Sequence, residues 1–200
     1  MSYQAVLCDL GGVVVEFDAD RLVHQVAQLV GRSFDEVQRV VYDEALLQFE
    51  IGRISPRTYY EGLRIKLCLP WSYEQFVAFW NNIFSEKRES TALIQRLQHR
   101  CTLIALTNTN ALHLQHVKAT IPSLGFFHDW VASCDVGCRK PDPQIYRLAL
   151  ARAKVPAHAV LYIDDRPEMV EAGRAVGLTA IRFESGWQLE QELRALGFPV

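Results

Sequence analysis

Apolar residues gather in short runs that are separated by longer stretches of mixed polarity. Five of these runs hold four to six residues each and carry almost no charge. They are residues 5–8, 101–106, 130–133, 160–163 and 178–183. Runs of this length that are mostly apolar are typical of parallel strands buried on both faces of a sheet. The pattern therefore predicts five buried strands.

Helical patterns fill the gaps between the later runs. They cover residues 89–99, 111–119, 143–154 and 167–176. Asp142 and Pro143 supply an N-cap and a first-turn proline for the third pattern, and Gly177 stands where the fourth should end. Strands that alternate with helices form parallel sheets covered on both faces. The predicted fold class is α/β, with a doubly wound, Rossmann-like parallel sheet.

The stretch from residue 17 to residue 86 breaks this alternation. It shows no clear strand and carries three helix-start signals. The signals are Ser33 with Glu36, Ser55 with Pro56, and Ser72 with Gln75. About seventy residues are too many for a plain loop, so the stretch must pack on something, most simply over the sheet end from which it emerges. We predict a core of residues 1–16 and 87–200, with residues 17–86 inserted as a small helical cap.

Composition and charge narrow the classes of partner. Half of the 200 residues are apolar, 22% are charged, and the formal net charge is −2. That balance leaves no broad basic surface for a polyanion, so no nucleic acid partner is expected. A small anionic ligand is still compatible with this net charge.

No apolar run is long enough to span a membrane, and the first residues lack a secretory pattern. The sequence therefore predicts no membrane association and a cytoplasmic location. The oligomeric state stays open.

Polar residues follow the predicted strands at the points where the strands end. Asp9 follows the first run, Thr107 follows the second, and Asp164 and Asp165 follow the fourth. Lys140 stands in "CRKPDP", just before a predicted helix. In open α/β sheets, ligands bind outside the carboxyl ends of the strands. These residues are therefore the candidates for a functional site.

Each candidate also has a plain structural interpretation. Asp9 alone could cap a turn, Thr107 could form one, and Lys140 could be a solvated surface charge. Taken together, three carboxylates at one sheet edge repel one another unless a cation lies among them. Oxygen ligands without histidine or cysteine favour Mg²⁺. A lysine and a hydroxyl beside that cation would complete a site for a tetrahedral dianion.

Four ordered motifs now carry a family resemblance. "DLGGV", "LTNTN", "RKPD" and "YIDD" resemble the motifs of the haloacid dehalogenase-like (HAD) hydrolase superfamily, with a helical cap inserted after the first motif. The stretches "GRISPRTYYEGL", "PWSYEQF" and "RKPDPQIYR" further resemble a helical-cap subgroup that includes a bacterial α-D-glucose-1-phosphate phosphatase. The resemblance spans nearly the whole chain.

The resemblance implies a nucleophile and a metal site. Asp9 would attack phosphorus in line and form an aspartyl-phosphate. Mg²⁺ would bridge Asp9, the main-chain carbonyl of Gly11 and Asp164, with Asp165 as a further or water-mediated ligand.

The resemblance also implies how the phosphate is held. Thr107 and the main-chain amide of Asn108 would bind the transferring oxygens, and Lys140 would neutralise charge on the phosphate and on Asp9. The cap would exclude water and select the leaving group.

Gly11 departs from the family pattern. Most phosphatases of the superfamily carry an aspartate at this position, which protonates the leaving group and then activates water. Glu16, Asp18 or Asp20 could replace it, although Asp18 or Asp20 more readily caps the first cap helix.

Three functions follow as hypotheses. The leading one is a Mg²⁺-dependent phosphatase for a small phosphorylated metabolite, with a sugar phosphate favoured. The second is a 2-haloacid dehalogenase, which needs no metal and leaves the Asp164 and Asp165 pair unexplained. The third is a catalytically silent member that binds a phosphorylated ligand or a protein, because Gly11 replaces the usual acid.

Overall fold

The structure, a computed structural model, describes residues 3–198 and residue 200. In chain order its strands are β1 (Ala5–Cys8), β2 (Val15–Phe17), β3 (Phe84–Glu86), β4 (Thr102–Thr107), β5 (Asp129–Ala132), β6 (Val160–Asp164) and β7 (Thr179–Arg182). Its helices are α1 (Ala19–Val30), α2 (Phe34–Val41), α3 (Glu44–Glu50), α4 (Pro56–Leu67), α5 (Tyr73–Trp80), α6 (Arg88–Gln95), α7 (Ala111–Thr120), α8 (Ser133–Val136), α9 (Pro143–Ala153), α10 (Pro167–Ala175) and α11 (Gly186–Ala195).

Five parallel strands form the central sheet in the order β5-β4-β1-β6-β7. The chain leaves β1 in the centre, builds β4 and β5 on one side, and then crosses to build β6 and β7 on the other. All five carboxyl ends therefore lie at one edge, and the change of direction occurs beside β1, where such sheets bind ligands. This arrangement confirms the predicted doubly wound α/β fold.

The two faces of the sheet bury alternate residues of each strand, as the two-residue period of a strand requires. In β1, Ala5 and Leu7 pack on the face covered by α9 and α10. Val6 and Cys8 pack on the opposite face, against residues of α6 and α11. Because both faces are buried, the strands read as continuous apolar runs rather than alternating ones.

A two-stranded antiparallel ribbon, β2 with β3, joins the sheet to the five helices that lie between these two strands in the chain. The prediction of no strand between residues 17 and 86 is therefore wrong at its two ends. Each ribbon strand has only three residues, and its outer positions are partly exposed. Such a short pair leaves no clear apolar pattern in the sequence.

Residues 19–80 form five helices, which we call the helical segment, and they enclose an apolar core of their own. Ser33, Ser55 and Ser72 are the N-caps of α2, α4 and α5, as the sequence predicts. Asp18 is the N-cap of α1 and accepts a hydrogen bond from the main-chain amide of Arg21. Across the described residues, no helix combines the length and apolar character that a membrane span requires.

His113 of α7 links the sheet domain to the helical segment. Its Nε2 lies 3.1 Å from the main-chain oxygen of Trp80, and its Nδ1 lies 3.0 Å from Nδ2 of Asn110. Nε2–H donates to the carbonyl, and Nδ1 accepts from the amide, so the ring is neutral. Burial lowers the pKa of His113 to about 4.

The low pKa of His113 makes the stability of the fold sensitive to acid. An unfolded histidine has a pKa of about 6.5, so the unfolded state takes up the proton first as the pH falls. The stabilisation is present above pH 6.5 and is lost between about pH 6.5 and 4. At about 1.4 kcal/mol per pKa unit, this amounts to about 3 kcal/mol.

Replacing the ring should flatten this pH dependence. His113→Gln keeps a donor for the Trp80 carbonyl but does not titrate, so its free energy of unfolding should fall about 3 kcal/mol less than that of the wild type between pH 7 and pH 4. Urea unfolding at a series of pH values measures this difference. Gln115→Ala, at an exposed position of the same helix that does not titrate, is the control and should follow the wild type. Equal losses in wild type and His113→Gln would show that the ring does not titrate on unfolding.

Candidate active site

The carboxyl ends of β1, β4 and β6 bring the predicted site residues to one cavity of about 450 Å³. We call its floor the polar base, which comprises Asp9, Thr107, Asn108, Lys140 and Asp165. Gly11 lies on the same cavity. Asp164 is fully buried behind it, and one carboxylate oxygen from each of Asp9, Asp164 and Asp165 falls within 4.8 Å of the others. The sequence thus identified residues that are neighbours in space.

Lys140 lies buried between two of these carboxylates. Its Nζ is 3.0 Å from Oδ1 of Asp9 and 2.6 Å from Oδ2 of Asp164. Only 2% of the lysine is exposed. An unpaired ammonium at that depth would be strongly destabilising, so the two ion pairs are what allow a charge to stand there.

Asn108 fixes the main chain of Lys140. Its Nδ2 donates to the carbonyl oxygen of Lys140 at 2.8 Å, and its Oδ1 accepts from the amide of Lys140 at 2.8 Å. The family resemblance implied a role for the main-chain amide of Asn108 only, in binding the phosphate. The side chain has a second role, which is to hold the lysine loop against the end of β4.

Asp164 is heavily hydrogen-bonded within the protein. Oδ2 accepts from the hydroxyl of Tyr162 as well as from Lys140, and Oδ1 accepts from the main-chain amide of Arg166 at 2.9 Å. Burial raises the pKa of Tyr162, so its phenol stays a neutral donor. Sequence reasoning missed this tyrosine, although its place two residues before Asp164 in β6 puts both side chains on one face of the strand.

Asp165 is half-buried and lies close to the loop after β1. A Cβ built on Gly12 would fall 2.2 Å from Oδ2 of Asp165, and Gly12 has a φ of +73°. Only glycine fits this backbone and leaves room for the carboxylate. Gly12 therefore allows Asp165 to approach the same loop that carries Asp9.

The charges of the cluster are unbalanced. Burial raises the pKa of Asp9 above its usual range, Lys140 opposes that effect, and Asp164 adds to it. Burial and the neighbouring Asp164 also raise the pKa of Asp165. Burial alone would lower the pKa of Lys140, but Asp9 and Asp164 raise it, so the lysine stays charged. Counted at full ionisation, the three carboxylates exceed the one ammonium by two negative charges.

A hard divalent cation fits this donor set. The three side chains offer only carboxylate oxygens, and the main-chain carbonyl of Gly11 is nearby. The amides of Val14 and Val15 donate to the carbonyl of Leu10, and the amide of Gly12 donates to that of Val15. The turn thus satisfies itself without using the oxygen of Gly11 among its described contacts. Oxygen ligands of this kind suit Mg²⁺.

The proposed replacements for the acid missing at Gly11 do not reach the cavity. Glu16, Asp18 and Asp20 are exposed and none lies on the cavity lining. The described carboxyl groups on that lining are Asp9, Glu50 and Asp165.

Glu50 is a cavity residue that sequence reasoning missed. It ends α3, and its Oε2 lies 3.3 Å from Nη2 of Arg139, the residue before Lys140. Burial raises the pKa of Glu50, and Arg139 opposes that effect. In the sequence this glutamate is indistinguishable from an exposed residue at the end of a helix.

The comparisons with known proteins agree with this architecture. A sesquiterpene phosphatase from Aspergillus oryzae is 26% identical over 98% of this chain and 97% of its own length. A D-ribitol-5-phosphate phosphatase from Bacteroides thetaiotaomicron is 21% identical over 96% and 97%. The crystal structure of a HAD family enzyme from B. thetaiotaomicron in complex with magnesium and inorganic phosphate superposes with a TM-score of 0.82 at 22% identity, covering 94% of this chain and 99% of that one.

A sequence model of a protein family matches most of this chain. The model of the haloacid dehalogenase-like hydrolases matches residues 3–177, which include the polar base, the helical segment and the buried Asp164. The chain belongs to the haloacid dehalogenase-like hydrolase family.

Proposed function

We propose that this protein is a Mg²⁺-dependent phosphatase that hydrolyses a small phosphomonoester by way of a phosphorylated Asp9. The observation that carries the proposal is the polar base itself. Asp9 stands at the end of the central strand, paired with a buried lysine and next to two further carboxylates. That combination supports the roles of a nucleophile, a cation for the phosphate and a set of metal ligands around one point.

The contacts of Asp9 suit a nucleophile. Its Oδ1 accepts from the amide of Leu10 at 2.7 Å and is paired with Lys140 at 3.0 Å. Both contacts hold the carboxylate in one orientation and fall on the same oxygen. Among the described residues Oδ2 has no hydrogen-bond donor, so it is the oxygen available to a phosphorus atom.

Mg²⁺ would be held by Asp9, the carbonyl of Gly11, and the pair of Asp164 and Asp165. When bound, it supplies positive charge that offsets the carboxylates and the phosphate. The contacts favour Asp165 as the more available ligand, since the oxygens of Asp164 already accept from three donors. The family resemblance implied the opposite order, with Asp164 as a direct ligand and Asp165 as a further or water-mediated one.

The remaining polar groups would bind the phosphate. Thr107 is buried at the cavity and offers a hydroxyl, and the main-chain amide of Asn108 follows it at the end of β4. The positive charge of Lys140 would stabilise negative charge on the phosphate oxygens while the bond to the leaving group breaks. Its fixed position, between two carboxylates and tied to Asn108, means that little reorganisation is needed at that moment.

Residues 17–86 would act as the cap of this site. The cavity lies between the sheet edge and the helical segment, and both contribute to its lining. A segment in that place excludes water and contacts the part of the substrate that is not phosphate.

The geometry of the site fits the other two functional hypotheses less well. A dehalogenase would leave the cluster of three carboxylates without a function. A silent ligand-binding member keeps one observation in its favour, the absence of an acid at Gly11, and the next experiment separates it from a phosphatase. The two full-length relatives are named for a sesquiterpene and for a ribitol phosphate, so they leave the organic group of the substrate open.

Asp9→Asn should abolish turnover without unfolding the protein. The amide keeps the size of the carboxylate but is a poor nucleophile, so the rate with p-nitrophenyl phosphate and Mg²⁺ should fall about 10³-fold or more. Circular dichroism checks the fold. Asp20→Asn, an exposed residue away from the cavity, is the matched control. A variant that keeps more than a small fraction of the rate would refute the phosphorylated Asp9, and a wild type that is inactive on all phosphomonoesters would favour the silent member.

Asp165→Asn should weaken Mg²⁺ binding at least about tenfold. Mg²⁺ that binds the folded state raises the melting temperature, so the midpoint of a thermal-shift titration with MgCl₂ reports affinity without any turnover. Glu168→Gln, an exposed residue nearby, should titrate as the wild type does. An unchanged midpoint for Asp165→Asn would exclude this carboxylate as a ligand.

A further inference from the structure

The cavity has an apolar side as well as a polar base. Phe17 of β2, Val41 and Tyr42 at the end of α2, and Leu46 and Leu47 of α3 line it from the helical segment and its ribbon. We call these five residues the apolar wall. The cavity therefore joins a charged end and a hydrophobic end.

The apolar wall is partly exposed. Six large apolar side chains are exposed among the described residues, and three of them, Phe17, Tyr42 and Leu47, belong to the wall. Their exposed fractions are 50%, 47% and 38%. Apolar side chains that gather at a cavity, rather than lie scattered, mark a surface that an apolar group covers.

Charged side chains on the cavity lining already have ion-pair partners, although the buried Nε of Arg139 has no hydrogen-bond acceptor among the described residues. Glu50 is paired with Arg139, and Arg166 is paired with Glu168. The wall itself offers the hydroxyl of Tyr42 as its side-chain polar group. A polyol whose hydroxyls lay against the other four residues of the wall would lose hydrogen bonds to water without regaining them there, which is unfavourable.

The wall extends to the turn that follows the nucleophile. A Cβ built on Gly11 would lie 2.9 Å from Cε1 of Phe17, so the ring covers the turn two residues beyond Asp9. An organic group that extends from the phosphate past this turn would pass the aromatic ring. An apolar group gains contacts with the ring, which offers a sugar hydroxyl no conventional hydrogen-bond partner.

We propose that the organic part of the substrate is hydrophobic, a single hydrocarbon chain or aromatic ring carried on the phosphate, and not a sugar. The inference rests on the proposed function for its phosphate end and replaces the sugar phosphate that the sequence favoured. The volume of about 450 Å³ lies in the lower part of the range for small-molecule sites and fits one chain or ring system.

The test is a series of straight-chain alkyl phosphates from ethyl to decyl, used below their micelle concentrations with Mg²⁺. The reacting end is the same throughout, so differences report the wall alone. We expect kcat/KM to rise about two- to fourfold for each added methylene until the cavity is filled, and decyl phosphate to exceed glucose 6-phosphate. A series that does not rise, or a higher kcat/KM for glucose 6-phosphate than for every alkyl phosphate, would overturn the inference and leave the phosphatase intact.

Two matched variants test whether the dependence of kcat/KM on chain length comes from the apolar wall. Leu47→Ser should lower the ratio of decyl to ethyl phosphate kcat/KM by about fivefold or more, because it removes part of the apolar surface. Leu29→Ser changes a leucine that is 44% exposed in α1 but lies away from the cavity, and it should keep the wild-type ratio. Equal ratios in both variants would show that the wall does not contact the chain.

Binding separates this inference from the proposed function. Ethylphosphonate and decylphosphonate cannot be hydrolysed, and calorimetry with Mg²⁺ measures their affinities whether or not the protein turns over any ester. If all phosphomonoesters prove inert, the proposed function fails. Tighter binding of decylphosphonate would still support the apolar wall, and equal affinities would refute it.

Discussion

A buried ammonium group is the constraint on which the rest of the site depends. Lys140 stands between Asp9 and Asp164, where a charge persists only if both carboxylates are in place. Asp9 follows β1 and Asp164 is the last residue of β6, so those strands must be neighbours, and the sheet order β5-β4-β1-β6-β7 makes them so. The side chain of Asn108 then ties the lysine loop to the end of β4. One ion-pair network thus requires three strand ends and one loop to meet.

Much of this arrangement is predictable because its signals are local. The five apolar runs become the five sheet strands with boundaries shifted by at most one residue, and the serine caps of the helical segment begin helices where expected. Polar residues at strand ends identify the polar base, since parallel strands end at a common edge. Most of the missed features depend on contacts between distant segments, which no local pattern records. They are the side chain of Asn108 on Lys140, Glu50 on the cavity, and the pairing of β2 with β3. The hydroxyl of Tyr162 on Asp164 and the ring of Phe17 over Gly11 join residues that are close in the chain, and they were missed because side-chain orientation is not recorded in the apolar pattern.

The two parts of the chain contribute different chemistry to one cavity. The sheet edge supplies the charged groups, whose positions are fixed by buried ion pairs and main-chain hydrogen bonds. The helical segment and its ribbon supply mostly side chains that pack. Packing surfaces tolerate substitution of one apolar residue by another, whereas an ion-pair network does not. Changes in the helical segment can therefore alter which organic group is accepted while the reacting end stays the same.

The neighbouring cations Arg139 and Lys140 have partners in different parts of the molecule. Arg139 is paired with Glu50 at the end of α3, and Lys140 is paired with Asp9 at the end of β1. The end of α3 and the carboxylate of Asp9 are therefore joined by a short path, made of two ion pairs and the one peptide bond between residues 139 and 140. The cover of the cavity and its reacting end share a single loop as their common support.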